Sequence, residues 1–119
     1  MRFWRRKVAD ITTVVLVDMK KPVTEREALE ELSKLGLQPA GTTEIALLHL
    51  KYPHILIKGL HIIGLADRLE HSDRLSKETL VQWPCLSNDD DNGKRYFDFY
   101  DQMGEHFSDS EWIFVALPM

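Results

Sequence analysis

The run Asp89 to Gly93 has the oxygen-bearing side chains and the glycine of a calcium-binding loop. A helix-loop-helix calcium loop needs oxygen ligands at positions 1, 3 and 5, glycine at position 6 and a bidentate glutamate at position 12. With Asn88 at position 1, position 12 is Phe99, which has no ligand atom. The run therefore predicts a hairpin turn at Asn92-Gly93, a dipeptide preferred where both central residues take positive φ. The alternative is a non-helical cation site formed by Asp89, Asp90 and Asp91.

Five histidines raise the question of a transition-metal site. They show neither an i, i+4 pair on a helix nor a cysteine or glutamate at zinc spacing beside them. The glycines are scattered singly, so neither a P-loop nor a dinucleotide-binding motif can be assembled. Cys85 follows Pro84 in an apolar stretch, which is typical of an inert buried thiol. We therefore predict no metal centre and no cofactor.

Acid-base chemistry would need side chains that are distant in the sequence to meet in three dimensions. The best candidates are His61, His106, Asp98 and Glu111. For an active site, at least two of them must share one pocket. A small enzyme built in this way is the alternative hypothesis, and a non-enzymatic protein is the leading one.

Aromatic residues offer a candidate binding surface. Tyr96 and Tyr100 lie on the polar face of a predicted strand, and Trp83 is nearby. The basic start "MRFWRRK" adds Phe3 and Trp4, a mixture that can stack on bases, contact anionic lipid or pack onto a protein. Protein interfaces favour such residues. Core packing explains the same aromatic rings, and a frayed terminus with Trp4 against the fold is also open.

Charge is distributed unevenly along the 119 residues. The first seven residues hold four positive charges and no negative ones, whereas residues 86 to 111 hold eight acids against Lys94 and Arg95. The two segments can attract each other within one chain or between two, or both can be solvated surface. The net charge of −4 argues against general affinity for nucleic acid.

Length and cysteine content bound the class of protein. A chain of this length corresponds to a single domain, residues 1 to 119. One cysteine rules out an internal disulfide and favours a reducing compartment, so we expect the cytoplasm. The apolar stretch from Ile11 to Val17 is too short for a membrane span and is bounded by Asp10 and Asp18. We therefore read it as a buried strand and expect no membrane association.

A first helix is predicted within "VTEREALEELSKLGL". Thr24 and Glu27 form the Ser/Thr-x-x-Glu pattern that satisfies free amides at a helix start. Ala28 and Leu32 fall on one face, and Gly36 suits the left-handed residue that closes a helix.

A second helix is predicted before Pro53, with Thr42 or Thr43 as its cap. Its apolar face contains Ile45 and Leu48.

The remaining chain is predicted to be rich in strands. A single buried strand from Leu60 to Ala66, or a hairpin turning at Lys58 and Gly59, follows the second helix. Residues 68 to 78 read as an exposed loop, and "TLVQWPCL" reads as a strand in which Pro84 indicates a sheet edge or a bulge. The segments "KRYFDFYD" and "SDSEWIFVAL" supply the last two strands. We therefore predict an α+β fold in which two N-terminal-half helices pack on a mainly antiparallel sheet of short strands.

From Val23 onward the chain contains, in order, "EALEELSKLGLQPAGTTEIALLHLKYP", "HIIGLAD", "WPCL", an acidic turn with an aromatic-rich strand, and "WIFVAL". This order resembles a group of small uncharacterised bacterial proteins with a capped helix, a Gly-x-x-Pro-Ala-Thr link, a helix ending at Tyr-Pro and a strand-rich second half. The chain departs from that pattern at Gly41 and in residues 68 to 78. The resemblance implies a bacterial protein with one strand at "HIIGLAD", and it implies no activity.

These observations predict a small cytoplasmic, non-enzymatic binding module. Its expected partner is another protein or a second copy of the chain, since the net charge disfavours nucleic acid.

Overall fold

A computed structural model of the protein describes residues 2–53, 55, 61–72, 74–75, 79–88, 95–102, 106–107 and 112–119. The fold is α+β, as predicted. The helices are α1 (Glu25–Lys34) and α2 (Thr42–Lys51). The strands in chain order are β1 (Arg2–Ala9), β2 (Thr12–Asp18), β3 (Val23–Thr24), β4 (Leu37–Pro39), β5 (His61–Gly64), β6 (Leu69–Ser72), β7 (Thr79–Asn88), β8 (Arg95–Gln102), β9 (His106–Phe107) and β10 (Trp112–Pro118).

Eight of these strands form one mixed, mostly antiparallel sheet. Its order is β1-β2-β10-β5-β7, with β8 on the far side of β7, and β10 runs parallel to β5. Two short strands lie beyond the C-terminal end of β5. There β4 pairs with β10 on one side, and β6 pairs with β7 on the other. β3 and β9 form a separate two-stranded ladder. β1 and β8 are therefore the outer strands of a sheet whose middle is β10, β5 and β7.

The two helices cover opposite faces of this sheet. Successive side chains of a strand point to opposite faces. Val15 of β2 belongs to a buried cluster with Leu32 of α1, whereas its neighbour Leu16 belongs to a second cluster with Leu48 of α2. We call the two sides the α1 face and the α2 face. Fully burying one such side chain stabilises the fold by about 1.5–3 kcal/mol, so packing on both faces holds the helices in place.

α1 begins and ends as predicted. Thr24 is the N-cap, its hydroxyl accepts the Glu27 amide, and Gly36 takes φ +73 just after the helix. α2 differs, because its N-cap is Gly41 and Thr42 is its first helical residue. The prediction that Thr42 or Thr43 caps α2 is therefore wrong. Neither helix of the described residues is long and apolar enough to cross a membrane.

Two strands lie where the sequence indicated irregular structure. Arg2–Ala9 is strand β1, paired antiparallel with β2, so the alternative of a frayed terminus is wrong. Leu69–Ser72 is strand β6, although all four of its residues are exposed. Both pair through their backbones, which places no demand on the polarity of the outward side chains. Because of their polar composition, neither segment was predicted as a strand from the sequence.

Pro84 does not mark a sheet edge, because β7 has neighbours on both sides. On one side β8 runs along residues 81 to 88. On the other side β6 pairs with residues 79 to 82 and β5 with residues 85 to 87. Pro84 lies in the gap between those two partners, where a residue without an N–H donor is least costly.

Candidate functional site

β1 is an outer strand with a strongly basic composition. It pairs with β2 on one side, and its other side has no strand partner among the described residues. Its cationic residues are Arg2, Arg5, Arg6 and Lys7. Within the described part of the chain, no ion pair involves any of these four side chains. The strand therefore combines an edge that no described strand covers with positive charge that no ion pair of the described residues neutralises.

The positive charge lies on both faces of β1. Arg5 is opposite Val15 of β2 and so lies on the α1 face, whereas Arg6 is opposite Val14 and lies on the α2 face. A chain segment docked along β1 would meet a guanidinium on either face, whichever way its side chains alternate.

A shallow pocket adjoins β1 on the α1 face. Its lining residues are Phe3, Arg5, Val15, Leu35 and Leu37. Phe3 is 53% exposed and Leu35 is 40% exposed, so apolar surface stands open beside the charged strand. At about 70 Å³ the pocket is well below the roughly 300–1,000 Å³ of small-molecule sites. The pocket has room for part of one side chain, so it suits a side chain of a bound protein better than a small molecule.

On the α2 face, Trp4 is held in place. Its half-buried ring packs against the cluster under α2, and the Arg2 guanidinium lies 5.1 Å from the ring centroid. The Tyr52 hydroxyl donates to the Lys7 carbonyl at 3.2 Å, and the β1–β2 register shifts between Lys7 and Ala9. The edge of β1 without a described strand partner therefore runs from Arg2 to Arg6, and within it the Arg5 carbonyl accepts a hydrogen bond from the Arg6 guanidinium at 2.8 Å, which a docked strand would displace.

The other predicted surface aromatics lie elsewhere in the sheet. Trp83 is 2% exposed, so core packing describes it. Tyr100 is half-buried and packs edge-on against Trp112, with ring centroids 4.6 Å apart. Tyr96 lies on β8 opposite Ser87, and its side chain is outside the described set. Of the predicted binding surface, Phe3 and Trp4 share one strand, and the other three residues do not join them.

The three acid-base candidates within the described residues lie on separate elements. His61 is on β5, and Asp98 is exposed on β8 with β7 between them. Asp98 accepts the amide of its neighbour Phe99 at 2.8 Å. His106 is on β9, in the second sheet, and Glu111 lies outside the described residues. The enzyme hypothesis stays a prediction, and within the described residues no pocket shared by these candidates supports it.

His61 belongs to a packed cluster that the sequence did not reveal. Its ring stacks on Trp112 with centroids 4.5 Å apart, and its Nδ1 lies 3.3 Å from the Ser87 hydroxyl. The Cys85 sulfur lies 3.7 Å from the same hydroxyl. Cys85 is 1% exposed, which confirms the predicted buried thiol and keeps it from any substrate. The cross-strand register brings these residues together, and no local motif signals it.

Arg95, at the start of β8, is a buried cation that the sequence also did not reveal. It is 3% exposed, and its Nε donates to the Ile55 carbonyl at 3.2 Å. Burial lowers the pKa of the guanidinium, which still stays charged at neutral pH. Because the guanidinium is buried, it adds no positive charge to the solvent-facing surface of β8.

The acidic run Asp89, Asp90 and Asp91, and the turn at Asn92-Gly93, lie outside the described residues. The described part of the chain contains no group of three or more His, Cys, Asp or Glu side chains arranged to hold a metal ion.

Comparison with protein-family models, curated proteins and solved structures found no match to this chain.

Proposed function

We propose that the protein is a non-enzymatic interaction module that binds another protein chain, a partner or a second copy, along the edge of β1. The observation that carries this proposal is the open edge from Arg2 to Arg6 beside an exposed apolar pocket. An extended segment that adds to a sheet edge gains main-chain hydrogen bonds, and adjacent pockets select its side chains. The buried free thiol of Cys85 supports a reducing, cytoplasmic setting.

A competing explanation is that the charges protect the edge. Natural proteins place charged side chains on outer strands to prevent edge-to-edge aggregation. Phe3 favours binding over protection, because charge alone protects an edge, whereas a ring that is 53% exposed adds apolar contact area beside it. The same ring forms one wall of the pocket.

Proline substitutions test the edge without assuming a partner. Neighbouring residues of a strand direct their N–H groups to opposite sides, so either Arg5→Pro or Arg6→Pro removes an outward-facing donor and leaves the β1–β2 ladder whole. Thermal melts identify which of the two variants keeps the fold. A random peptide display library is selected on the wild-type protein, and the enriched peptides are then measured on that variant.

We expect the enriched peptides to lose at least about tenfold in affinity on the folded proline variant. The matched control is alanine at the same position, which removes the side chain and keeps the N–H. Peptides that bind the wild type and the proline variant equally would place the interaction elsewhere. A protein that enriches no peptide and stays monomeric in light scattering would overturn the proposal.

A further inference from the structure

We infer that the segment bound along β1 is strand β8 of a second copy of this chain, so that copies associate head to tail through opposite edges of the sheet. This inference rests on the proposed function, because it names the occupant of the same edge. The supporting facts are the positions, exposures and charges of the two outer strands.

β8 is the outer strand at the other end of the sheet. It pairs with β7, and its far side has no second strand partner among the described residues. Asp98 is exposed on this strand, Phe99 is 40% exposed, and Asp101 lies further along it. Because the guanidinium of Arg95 is buried, the described charge that β8 presents to solvent is negative. Among its described side chains, β8 therefore presents the carboxylate of Asp98 and the ring of Phe99 to solvent.

β1 has the complementary character, with exposed Phe3 and a guanidinium on each face. Asp98 lies opposite Cys85 of β7 and so on the α1 face. If β8 joins β1 in a parallel arrangement, the α1 faces of both copies stay on one side of the sheet, and Asp98 lies beside Arg5. In an antiparallel arrangement the second copy is turned over, and Asp98 then lies on the side of Arg6. Either orientation pairs opposite charges across the junction.

The fold prevents this pairing within one chain. Four strands, β2, β10, β5 and β7, separate β1 from β8. At roughly 4.8 Å per strand, the two edges lie about 24 Å apart. The attraction between the basic start of the chain and its acidic second half can therefore act along these edges between two copies.

A pairing of β1 with β1 of a second copy is disfavoured by charge. It would bring two strands with four positive charges each, and no negative ones, side by side. Like charges directly opposite each other in a sheet are destabilising. A β1–β8 contact is heterologous, so it continues from copy to copy and forms a ring if its rotation closes or an open filament if it does not.

The test is a charge exchange between the two edges, read by sedimentation and light scattering of the full chain from micromolar to millimolar concentration. One variant is Arg5→Glu/Arg6→Glu and the other is Asp98→Arg. We expect the wild type to exceed the protomer mass of 13.8 kDa as concentration rises, and each variant alone to need at least about tenfold more protein for the same association.

Mixing the two variants restores every junction, because the glutamates introduced on β1 of one meet the arginine introduced on β8 of the other, and the reverse pair is unchanged from the wild type. We expect the equimolar mixture to associate as the wild type does, and more weakly at high salt. Arg74→Glu, an exposed arginine in the turn between β6 and β7, is the control for charge alone and should leave association unchanged.

Three outcomes would overturn this inference. A mixture that stays monomeric while the wild type associates would show that the two edges do not meet. Stronger association of Arg5→Ala/Arg6→Ala than of the wild type would show that the arginines protect the edge. A strictly monomeric wild type that still binds display peptides along β1 would remove the second copy and leave the proposed function in place.

Discussion

The two helices of the protein are capped in different ways, although both N-termini have free backbone amides that need hydrogen-bond acceptors. α1 is capped by residues of its own first turn: Thr24 Oγ1 accepts the Glu27 amide at 3.0 Å, and Glu27 Oε1 accepts the Thr24 amide at 2.9 Å. α2 has Gly41 at the capping position, and glycine has no side chain to accept a hydrogen bond. Its cap comes from elsewhere in the chain.

That cap is Asp67, which follows β5. Asp67 Oδ2 accepts the Thr42 amide at 2.6 Å, while Glu44 of the first helical turn accepts the Gly41 amide at 3.1 Å. Gly41 makes room for the carboxylate, because a Cβ there would collide with Asp67. The start of α2 is therefore complete only when the end of β5 is in place. Local sequence determines one helix start, and tertiary structure determines the other.

The largest expected effect comes from closing the space at this junction. Gly64 ends β5, and a Cβ added to it would lie 2.6 Å from the Ala40 carbonyl oxygen, a backbone atom that also accepts the Ala66 amide. Because backbone cannot move aside as a flexible side chain can, we expect Gly64→Ala to lower the free energy of unfolding by about 3 kcal/mol. Urea denaturation measures it.

Gly36→Ala is the matched control at the end of α1. Gly36 has φ +73 and no atom within 4 Å of an added Cβ, so the cost is the left-handed backbone alone, about 1 kcal/mol. A larger loss for Gly36→Ala than for Gly64→Ala would contradict the close packing of β5 against the α2 start.

Removing the remote cap is expected to have the second-largest effect. Asp67→Ala deletes the acceptor of the Thr42 amide, and loss of a capping side chain costs about 1.5 kcal/mol after allowance for the solvent exposure of Asp67. Chemical denaturation gives the change in stability, and amide exchange at Thr42 reports the lost bond directly. Unchanged protection of Thr42 would show that another group caps α2.

A local cap should rescue this variant. Gly41 has extended backbone angles, φ −115 and ψ −163, which serine adopts without strain. In the wild type Gly41→Ser would push Asp67 aside, but in the Asp67→Ala background the space is open. We expect Gly41→Ser to destabilise the wild type and to stabilise Asp67→Ala, so that the two substitutions are coupled.

Thr24→Ala tests the self-contained cap of α1 and should cost about 1 kcal/mol, since the reciprocal bond from the Thr24 amide to Glu27 remains. Thermal unfolding measures the change, and Thr24→Ser should restore most of it. A cost greater than that of Asp67→Ala would reverse the ranking of the two caps.

The same contrast explains what the sequence could predict. The Thr24-Glu27 pair, Gly36 and the β-branched run of β2 are local patterns, and each lies where it was expected. The Asp67 cap and the His61 cluster depend on neighbours that are far away in the chain, whereas β1 pairs with the adjacent strand β2 but has a polar composition that hides it. No spacing in the sequence marks them.

For the candidate site, the sequence indicated Phe3 and Trp4 and the attraction between the basic and acidic segments. It did not indicate that they occupy an open sheet edge. That property depends on the strand order, which places β1 and β8 at opposite ends of the sheet.

The smallest expected effect is the pH dependence of the remote cap. The Thr42 amide and then the Thr42 hydroxyl bond the Asp67 carboxylate and lower its pKa. A carboxyl group whose pKa is lower in the folded protein contributes stability above its unfolded pKa, and the contribution disappears as the pH falls through the folded value. Asp67→Asn keeps an acceptor for the Thr42 amide and removes the charge. We expect the wild type to be more stable than Asp67→Asn by about 0.5 kcal/mol at pH 7, from the interaction of an exposed carboxylate with the helix N-terminus.

That difference should begin to shrink as the pH falls below about 4, the ordinary range of aspartate, and vanish only below the lower pKa that Asp67 has in the folded protein. Urea denaturation of both proteins across this range measures it, and comparing the two cancels the titration of every other acid. Thr24→Ala at the other helix provides the contrast, because its cap is a hydroxyl without charge. The difference between the wild type and Thr24→Ala should therefore change less with pH than the Asp67 difference does. If both differences fell together in acid, global acid unfolding would account for the loss, and the charge of Asp67 would have no specific part in starting α2.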